Sequence, residues 1–527
     1  MKHHDSRMEH EEVRKHSARK EEVALAMCAI NHMSYDKPVS SSNAVDRVQQ
    51  NFPFNPQSYQ GVSNSTIATV IFNTGSSIVN ASTSSIQFSV NFPNAPSDLV
   101  WSWGDITPVN KTVKSGSSAC NIFKEITLKA RGGEIVERII NSNVLSAALA
   151  PFKKGNASEY LYAGAGGASM VTSSGRTVSN FVTETFPVYW AADTNYFEIP
   201  LGKLATFFGE QAPLPPTVIS GLTLSLQFEN FLNAMVFYTA SNTRSATGNG
   251  ASPYTYNTPS AQVLTNVSPI VATPALSLNV ANMQLLIDAM TVMDQSLQVL
   301  NSKASSLASS GLQYDFYGVY HTQTTLNSSA ANIDVLLSAA NLQSIVLSFR
   351  KAGSPNGTID NMARLPLVSY ADGDAADGVS VFRCDANSVG LLGRGGASIR
   401  CRIGSNYLTL TPQFNAAQTY RYTVQALCDV KNSAVSDVDP LHVVNRPFDQ
   451  AVSYNDWYYG AGATTMAFDC EKSANLSISG AQTNNSRSVI LELQGLNASG
   501  AFPIVLDIHC LYLNCLNSSL ENNILDR

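Results

Sequence analysis

Histidine is the usual acid–base residue near neutral pH, and the chain has eight of them. His3, His4, His10, His16 and His32 lie in the N-terminal segment, and only His321, His442 and His509 fall in the body of the chain. His509 sits inside an apolar run, where a hydrogen-bonded core histidine is the expectation. No Gly-x-Ser-x-Gly elbow, His-Glu-x-x-His pair or phosphate-binding Gly-Lys-Ser/Thr loop is present. The stretches Gly164–Ala168 and Gly393–Gly396 are glycine-rich without completing a dinucleotide fingerprint, and they read as loops. Arg394, Arg400 and Arg402 form a small basic cluster able to meet a carboxylate or phosphate, with a solvated or interfacial patch as the expected role. For a metal, the best candidates are Asp372, Asp374 and Asp377, whose carboxylates on one turn resemble a calcium loop. Their spacing departs from the EF-hand and the closing Glu is missing, so an exposed acidic turn is expected and no metal is assigned. Cys28, Cys120, Cys384, Cys401, Cys428, Cys470, Cys510 and Cys515 contain no Cys-x-x-Cys pair for zinc and are too sparse for a disulfide scaffold. Free, mostly buried thiols are expected. No catalytic residue and no cofactor are assigned.

Such a chain is read better through its architecture. At 527 residues it exceeds one ordinary core. Hydrophobic residues make up 44% and charged residues only 14%, against about 25% charged in an average soluble domain. Ser, Thr, Asn, Gly and Ala replace the charges, which suits a protein that buries much of its surface against copies of itself. The net charge of −6 opposes a dedicated nucleic-acid binder, which would need a basic footprint.

The N-terminal segment is dense in charge. Lys2, Arg7, Arg14, Lys15, Arg19 and Lys20 are balanced by Asp5, Glu9, Glu11, Glu12, Glu21 and Glu22, and the apolar run Val23–Ile30 follows. That is a poor signal peptide, and no apolar run approaches the ~20 residues that span a bilayer. An arm that docks on a neighbouring subunit or minor component is expected here.

From Ile67 onward the pattern has period two, most clearly in Ile86–Phe92, Ile126–Ala130 and Leu222–Phe228. Ile345–Phe349, Tyr420–Leu427, Val489–Leu493 and Ile504–Leu513 also read as strands. Many strands joined by turn-rich loops indicate sandwiches or barrels. The polar stretch Ser241–Gln262 reads as a long exposed loop. Met283, Leu286, Ile287, Met290, Met293, Leu297 and Leu300 are spaced as on one helix face, so an amphipathic helix is expected over Asn282–Lys303, capped by Asn279 or Asn282 and linking two β-rich halves.

Particular segments resemble a known family. Cys120–Ile139 (CNIFKEITLKARGGEIVERI) followed by Asn143-Val-Leu145 is similar to a segment of the double jelly-roll major capsid proteins of polinton-like viruses, virophages and their relatives. Ile199–Phe208 with its Pro-Leu-Gly entry, Leu214-Pro-Pro216, the alternating Ile219–Glu229 and the last strand Leu506–Leu513 occur in that family's order. The first half matches well; Arg350–Cys401 is weakly placed. The resemblance implies an all-β chain of two tandem eight-stranded jelly rolls, homotrimers of pseudo-hexagonal outline, and an icosahedral shell of a double-stranded DNA virus. It implies partners among copies of itself, penton and minor capsid proteins and an internal membrane, a place in the virion, and no sequence-specific nucleic acid. The expected division is an arm over 1–58, a first jelly roll over 59–280, a linker with the helix over 281–310, a second jelly roll over 311–519 and a tail over 520–527. A fibre-type β-rich adhesin is the alternative, expected to carry a signal peptide or anchor; a β-scaffold enzyme would need paired carboxylates at a groove.

Overall fold

The computed structural model describes residues 44–96, 99–103, 118–149, 189–209, 214–239, 276–292, 312–351, 398–408, 416–427, 457, 465–470, 480–483, 488–496, 503–518 and 523–526. The first half contributes β1 (Ala44–Pro53), β2 (Ile67–Ile71), β3 (Ile78–Asn91), β4 (Leu99–Ser102), β5 (Phe123–Lys129), β6 (Ile135–Ile140), β7 (Tyr189–Trp190), β8 (Asn195–Pro200), β9 (Thr223–Phe228), β10 (Val236–Thr239) and β11 (Asn279–Val292). The second contributes β12 (Leu312–Leu326), β13 (Ala330–Val335), β14 (Leu342–Lys351), β15 (Ser398–Ile403), β16 (Asn406–Tyr407), β17 (Thr465–Asp469), β18 (Val489–Gln494), β19 (Ile504–Ser518) and β20 (Asn523–Asp526).

The two halves repeat one topology. In the first, the sheets run β1-β11-β3-β8 and β2-β9-β5-β6; in the second, β12-β19-β14-β17 and β13-β18-β15-β16. With β4, β7, β10 and β20 set aside, and each half's sandwich strands numbered in chain order, both halves have a sheet of order 1-8-3-6 and another of order 2-7-4-5. This winding of eight antiparallel strands into two sheets is a jelly roll. Each half also places a helix between its fifth and sixth strands, Ser142–Leu149 and Ala416–Leu427.

In the first half, Phe88 and Val90 of β3, Leu285 and Ile287 of β11, Val70 of β2, Ile126 of β5 and Leu224 of β9 fill one core between two sheets. The strict alternation of Thr-Leu-Ser-Leu-Gln-Phe in β9 buries every second residue, as a half-wet strand requires. In the second half, Ile345, Leu347, Phe349, Leu506 and Ile508 face Ile399, Val489 and Leu491.

Of the four remaining strands, β20 pairs with β19 and three form a small sheet, β10-β4-β7. They lie in the connections after the third, fifth and seventh sandwich strands. Antiparallel neighbours alternate direction, so odd-numbered connections leave from the same end of a sandwich. The small sheet is therefore a crown on one end of the first jelly roll, packed through Trp101, Trp103, Tyr189, Phe197 and Phe237.

Three expectations are corrected. Asn279–Val292 is strand β11, not the start of an amphipathic helix. The ladder to β3 shifts between Ala281 and Gln284 and again between Leu286 and Asp288, and Asn282 is the left-handed residue (φ 54°) at the first shift rather than a cap. A bulge inserts one residue into the alternation. Val280 and Met283 are thus both buried three apart, and Leu285, Ile287 and Ala289 continue at period two, which mimics helical spacing. Residues 293–303 lie outside the described residues.

Conversely, Tyr420–Leu427, expected as a strand, is part of the helix Ala416–Leu427; its buried residues Ala416, Thr419, Thr423 and Val424 follow helical spacing. The β-favouring Tyr, Thr and Val content misled, because tertiary packing overrides propensity. Finally, two segments assigned to arm and tail join sheets. Ala44–Pro53 pairs with β11 as the edge of the first sheet, and Asn523–Asp526 pairs with β19. Arg47 grips Asp288 of β11 through two bonds of 2.7 and 2.6 Å, tying the edge strand down. Residues 1–43 and the loop 241–262 lie outside the described residues.

Candidate functional site at the junction of the two sandwiches

The sheet β12-β19-β14-β17 is covered on both faces. Leu506, Ile508 and Cys510 point into the second sandwich. The alternate residues Asp507 and His509 point the other way and are fully buried too, against the first half. The register places His321, His509 and Val346 abreast, with Ser348 abreast of Asp507.

Asp507 is the centre. Its Oδ1 accepts from His321 Nε2 at 2.9 Å and from Asn141 Nδ2 at 2.8 Å, and its Oδ2 accepts from Arg350 Nε at 2.6 Å. His321 and Arg350 belong to the second half, whereas Asn141 is the turn residue that follows β6 of the first. Asn141 has φ 52°, a conformation Asn tolerates better than most side chains, and its carbonyl accepts from Val144 and Leu145 at the start of the following helix. The turn thus caps the helix and aims the amide across the junction. Burial alone would raise the Asp507 pKa, but the His321 bond and the Arg350 charge outweigh it and hold the carboxyl well below the usual range.

His509 reaches the first half with Nε2, which donates to the Ile140 carbonyl at 3.3 Å; Nδ1 has no hydrogen-bond partner among the described residues. Its ring lies 4.7 Å from that of His321. Burial, then the neighbouring His321, push its pKa down to about 3, so it is neutral. Around these groups, Thr465 donates to the Ala148 carbonyl (3.0 Å) and Tyr314 to the Phe207 carbonyl (3.0 Å), both across the junction. Phe207 packs against Tyr314 and Phe316 of β12. Phe316, Val319 and Leu516 of the second half belong to the first half's core. The junction is therefore a continuous apolar interface around a saturated ionic cluster, a joint between two sandwiches.

Acid should loosen it. His509 binds a proton more readily when unfolded, so its stabilisation is present above pH ~6.5 and is lost as pH falls toward 3. Asp507 has the same sign and acts lower. The unfolding midpoint of the intact chain should fall from pH 7 to 4, and His509→Phe should flatten that loss. Equal acid profiles for the variant and the original would remove His509 from the account.

Of the residues singled out from sequence, His321 and His509 come together here, and His509 is a core histidine with one nitrogen satisfied. Arg400 and Arg402 lie on β15: Arg400 stacks over Tyr407 at 3.6 Å and Arg402 faces Glu492 at 3.3 Å, so both engage their own sheet. Cys401 and Cys510 are free thiols and are buried, as are Cys120 and Cys470, whereas Cys515 is half-buried. Asp372, Asp374, Asp377, Arg394, His442, Cys28, Cys384 and Cys428 lie outside the described residues. Asp507, Arg350 and Asn141 escaped sequence reading. One signal was available: Val505, Leu511 and Leu513 fall on the same alternate face as Asp507 and His509, and a strand apolar on both faces marks a sheet with a second covered face.

No protein family matches the sequence, and neither does any curated protein. Among solved structures, the Faustovirus major capsid protein superposes with a TM-score of 0.51 at 10% identity, covering 93% of this chain and 93% of that one. The cryo-EM structure of the Sputnik virophage gives 0.49 at 11% identity over 94% and 91%, and the mavirus major capsid protein 0.41 at 8% over 94% and 94%. With two sandwiches of identical winding and an alignment running the length of both molecules, the chain has the double jelly-roll fold of the Faustovirus major capsid protein.

Proposed function

We propose that this chain is a major capsid protein, a structural and not a catalytic subunit, which trimerises and tiles an icosahedral viral shell. The observation that carries the reading is the repeat of one eight-stranded winding within a single chain, its two copies fixed by a buried joint. Three such chains around one axis present six similar lobes, an outline that packs as a hexagon; closed cyclic assembly is the common mode for soluble oligomers. The low charge content favours extensive burial between subunits.

The placement of long connections supports a surface role. In the first half, 31 residues separate β3 from β5, and wider gaps separate β6 from β8 and β9 from β11. In the second, the gaps from β14 to β15 and from β16 to β17 are the long ones. All are odd-numbered connections, so the longest connections of each sandwich leave from one end, as suits a tile with an outer and an inner side. The segment before β1 is read as an assembly arm contacting neighbouring subunits, penton or minor proteins, or an enclosed membrane, inside the virion. Sedimentation of the purified chain with negative-stain microscopy tests this: trimers of hexagonal outline are expected, and a stable folded monomer at micromolar concentration would overturn it.

A further inference from the structure

A second buried carboxyl, Glu137 of β6, lies at the junction but outside the Asp507 cluster. It is 4% exposed. Its Oε1 accepts from the Thr206 amide at 3.1 Å and its Oε2 from the Phe207 amide at 3.0 Å. The Thr206 hydroxyl lies within hydrogen-bonding reach of both Glu137 Oε1 and the Tyr317 carbonyl of β12. Thr206 and Glu137 are in the first half; Tyr317 is in the second.

A hydroxyl has one hydrogen. Placed between a carboxylate and a carbonyl, both acceptors, it can serve only one. Each carboxyl oxygen already accepts from a backbone N–H, but if the hydroxyl serves the Tyr317 carbonyl, Thr206 Oγ1 and Glu137 Oε1 face each other with no hydrogen between them. Both contacts of the hydroxyl are filled together only if the carboxyl itself carries a proton. We propose that Glu137 is held as the neutral acid at this seam and works as a proton-dependent latch between the jelly rolls: its O–H donates to Thr206 Oγ1, and Thr206 donates to the Tyr317 carbonyl. When the proton leaves, the Thr206 hydroxyl turns back to the carboxylate and its bond across the seam is lost.

The surroundings agree. Leu128 of β5 stands opposite Glu137 in the ladder. From β12, Tyr314 meets the 206–207 turn through its hydroxyl, which donates to the Phe207 carbonyl, and Tyr317 through its backbone carbonyl. On the adjoining position of β6, Arg138 is paired to Glu125 of β5. No charged side chain contributes to the Glu137 shift; burial raises its pKa to about 7 against the three bonds that oppose it. The sign follows: a raised carboxyl stabilises the fold fully below pH ~4.5, and that stabilisation is lost as pH rises through about 7. It runs opposite to His509, so the two are separated by variant and not by the total profile.

The latch concerns the chain's own joint and stands or falls independently of shell assembly. Hydrogen exchange of the intact chain, corrected for the intrinsic rate, tests it. From pH 6 to 8, amides of β6 and β12 should open about tenfold more readily in the original protein. In Glu137→Gln, whose amide donates permanently but leaves one backbone N–H of Thr206 or Phe207 without its acceptor, protection should be lower yet the same at both ends of the range; in Thr206→Val the β6 and β12 amides should be open at both ends. Equal pH dependence in the original and in Glu137→Gln would overturn the latch. Should the variant not fold, infrared titration of the original decides: a protonated-carboxyl band disappearing near pH 7 supports it, and no such band at pH 5.5 refutes it.

Discussion

Replacing Asp507 with alanine should destabilise the folded chain by about 3–5 kcal/mol, the usual cost of breaking a buried ion pair by removing one partner. The side chain has no exposed surface, and Arg350 beside it is only 16% exposed. Removing the carboxylate leaves the guanidinium, the His321 Nε2–H and the Asn141 amide facing one another across the joint without an acceptor. The damage arises from orphaned donors more than from the lost attraction, which gives a second arm to the measurement. Replacing Asp507 by leucine together with Arg350 by methionine removes the charges as a pair and should recover much of the loss, because apolar packing often matches a buried pair in stability. Denaturant unfolding of the three proteins checks both. An alanine variant within 1 kcal/mol of the original would mean that water or a rearranged side chain satisfies the cluster.

How much of this could be read in the chain differs by element. The strands β3, β5, β9, β14, β18 and β19 announced themselves by alternation or by apolar runs of strand length, and they carry most of both cores. The duplication was legible only as two β-rich halves, because the identity of winding resides in which strands pair, and pairing leaves no local trace in sequence. β11 misled for a definite reason: the ladder shift at Asn282 breaks its phase, and a bulged strand buried on both faces produces the same three- and four-residue spacings as a helix. Ala416–Leu427 erred in the opposite direction, its Tyr, Thr and Val favouring a strand locally while packing against β17 made it a helix. The joint was the least legible part. Asn141, His321, Arg350 and Asp507 are separated by up to 366 residues, and each is unremarkable where it stands. Only the Asp507–His509 pair in an apolar strand hinted that the strand's second face meets protein.

Phe207→Ala should be as costly as the loss of Asp507, about 3–5 kcal/mol, and should change the manner of unfolding. The side chain is completely buried. Its ring lies 5.3 Å from Phe208 on its own side and 5.0 and 5.1 Å from Tyr314 and Phe316 on the other, so it is shared between the halves. Truncation opens a cavity on the boundary, and atoms on both sides lose their contacts. Tyr314 keeps its hydroxyl bond to the residue-207 carbonyl, but the plane of rings that makes the two cores continuous is gone. Two sandwiches that unfold together do so because the interface free energy exceeds the difference between their own stabilities. Lowering that interface term should let the less stable half melt first. Calorimetry should then show one transition for the original protein and two for Phe207→Ala, the lower displaced further. Phe88→Ala, inside the first core and away from the junction, serves as the comparison: it removes a similar ring, yet acts on one half alone and leaves the interface rings in place. Should Phe207→Ala lower the midpoint while keeping one sharp transition, the joint would owe its strength to the Asp507 cluster and not to the shared aromatic core.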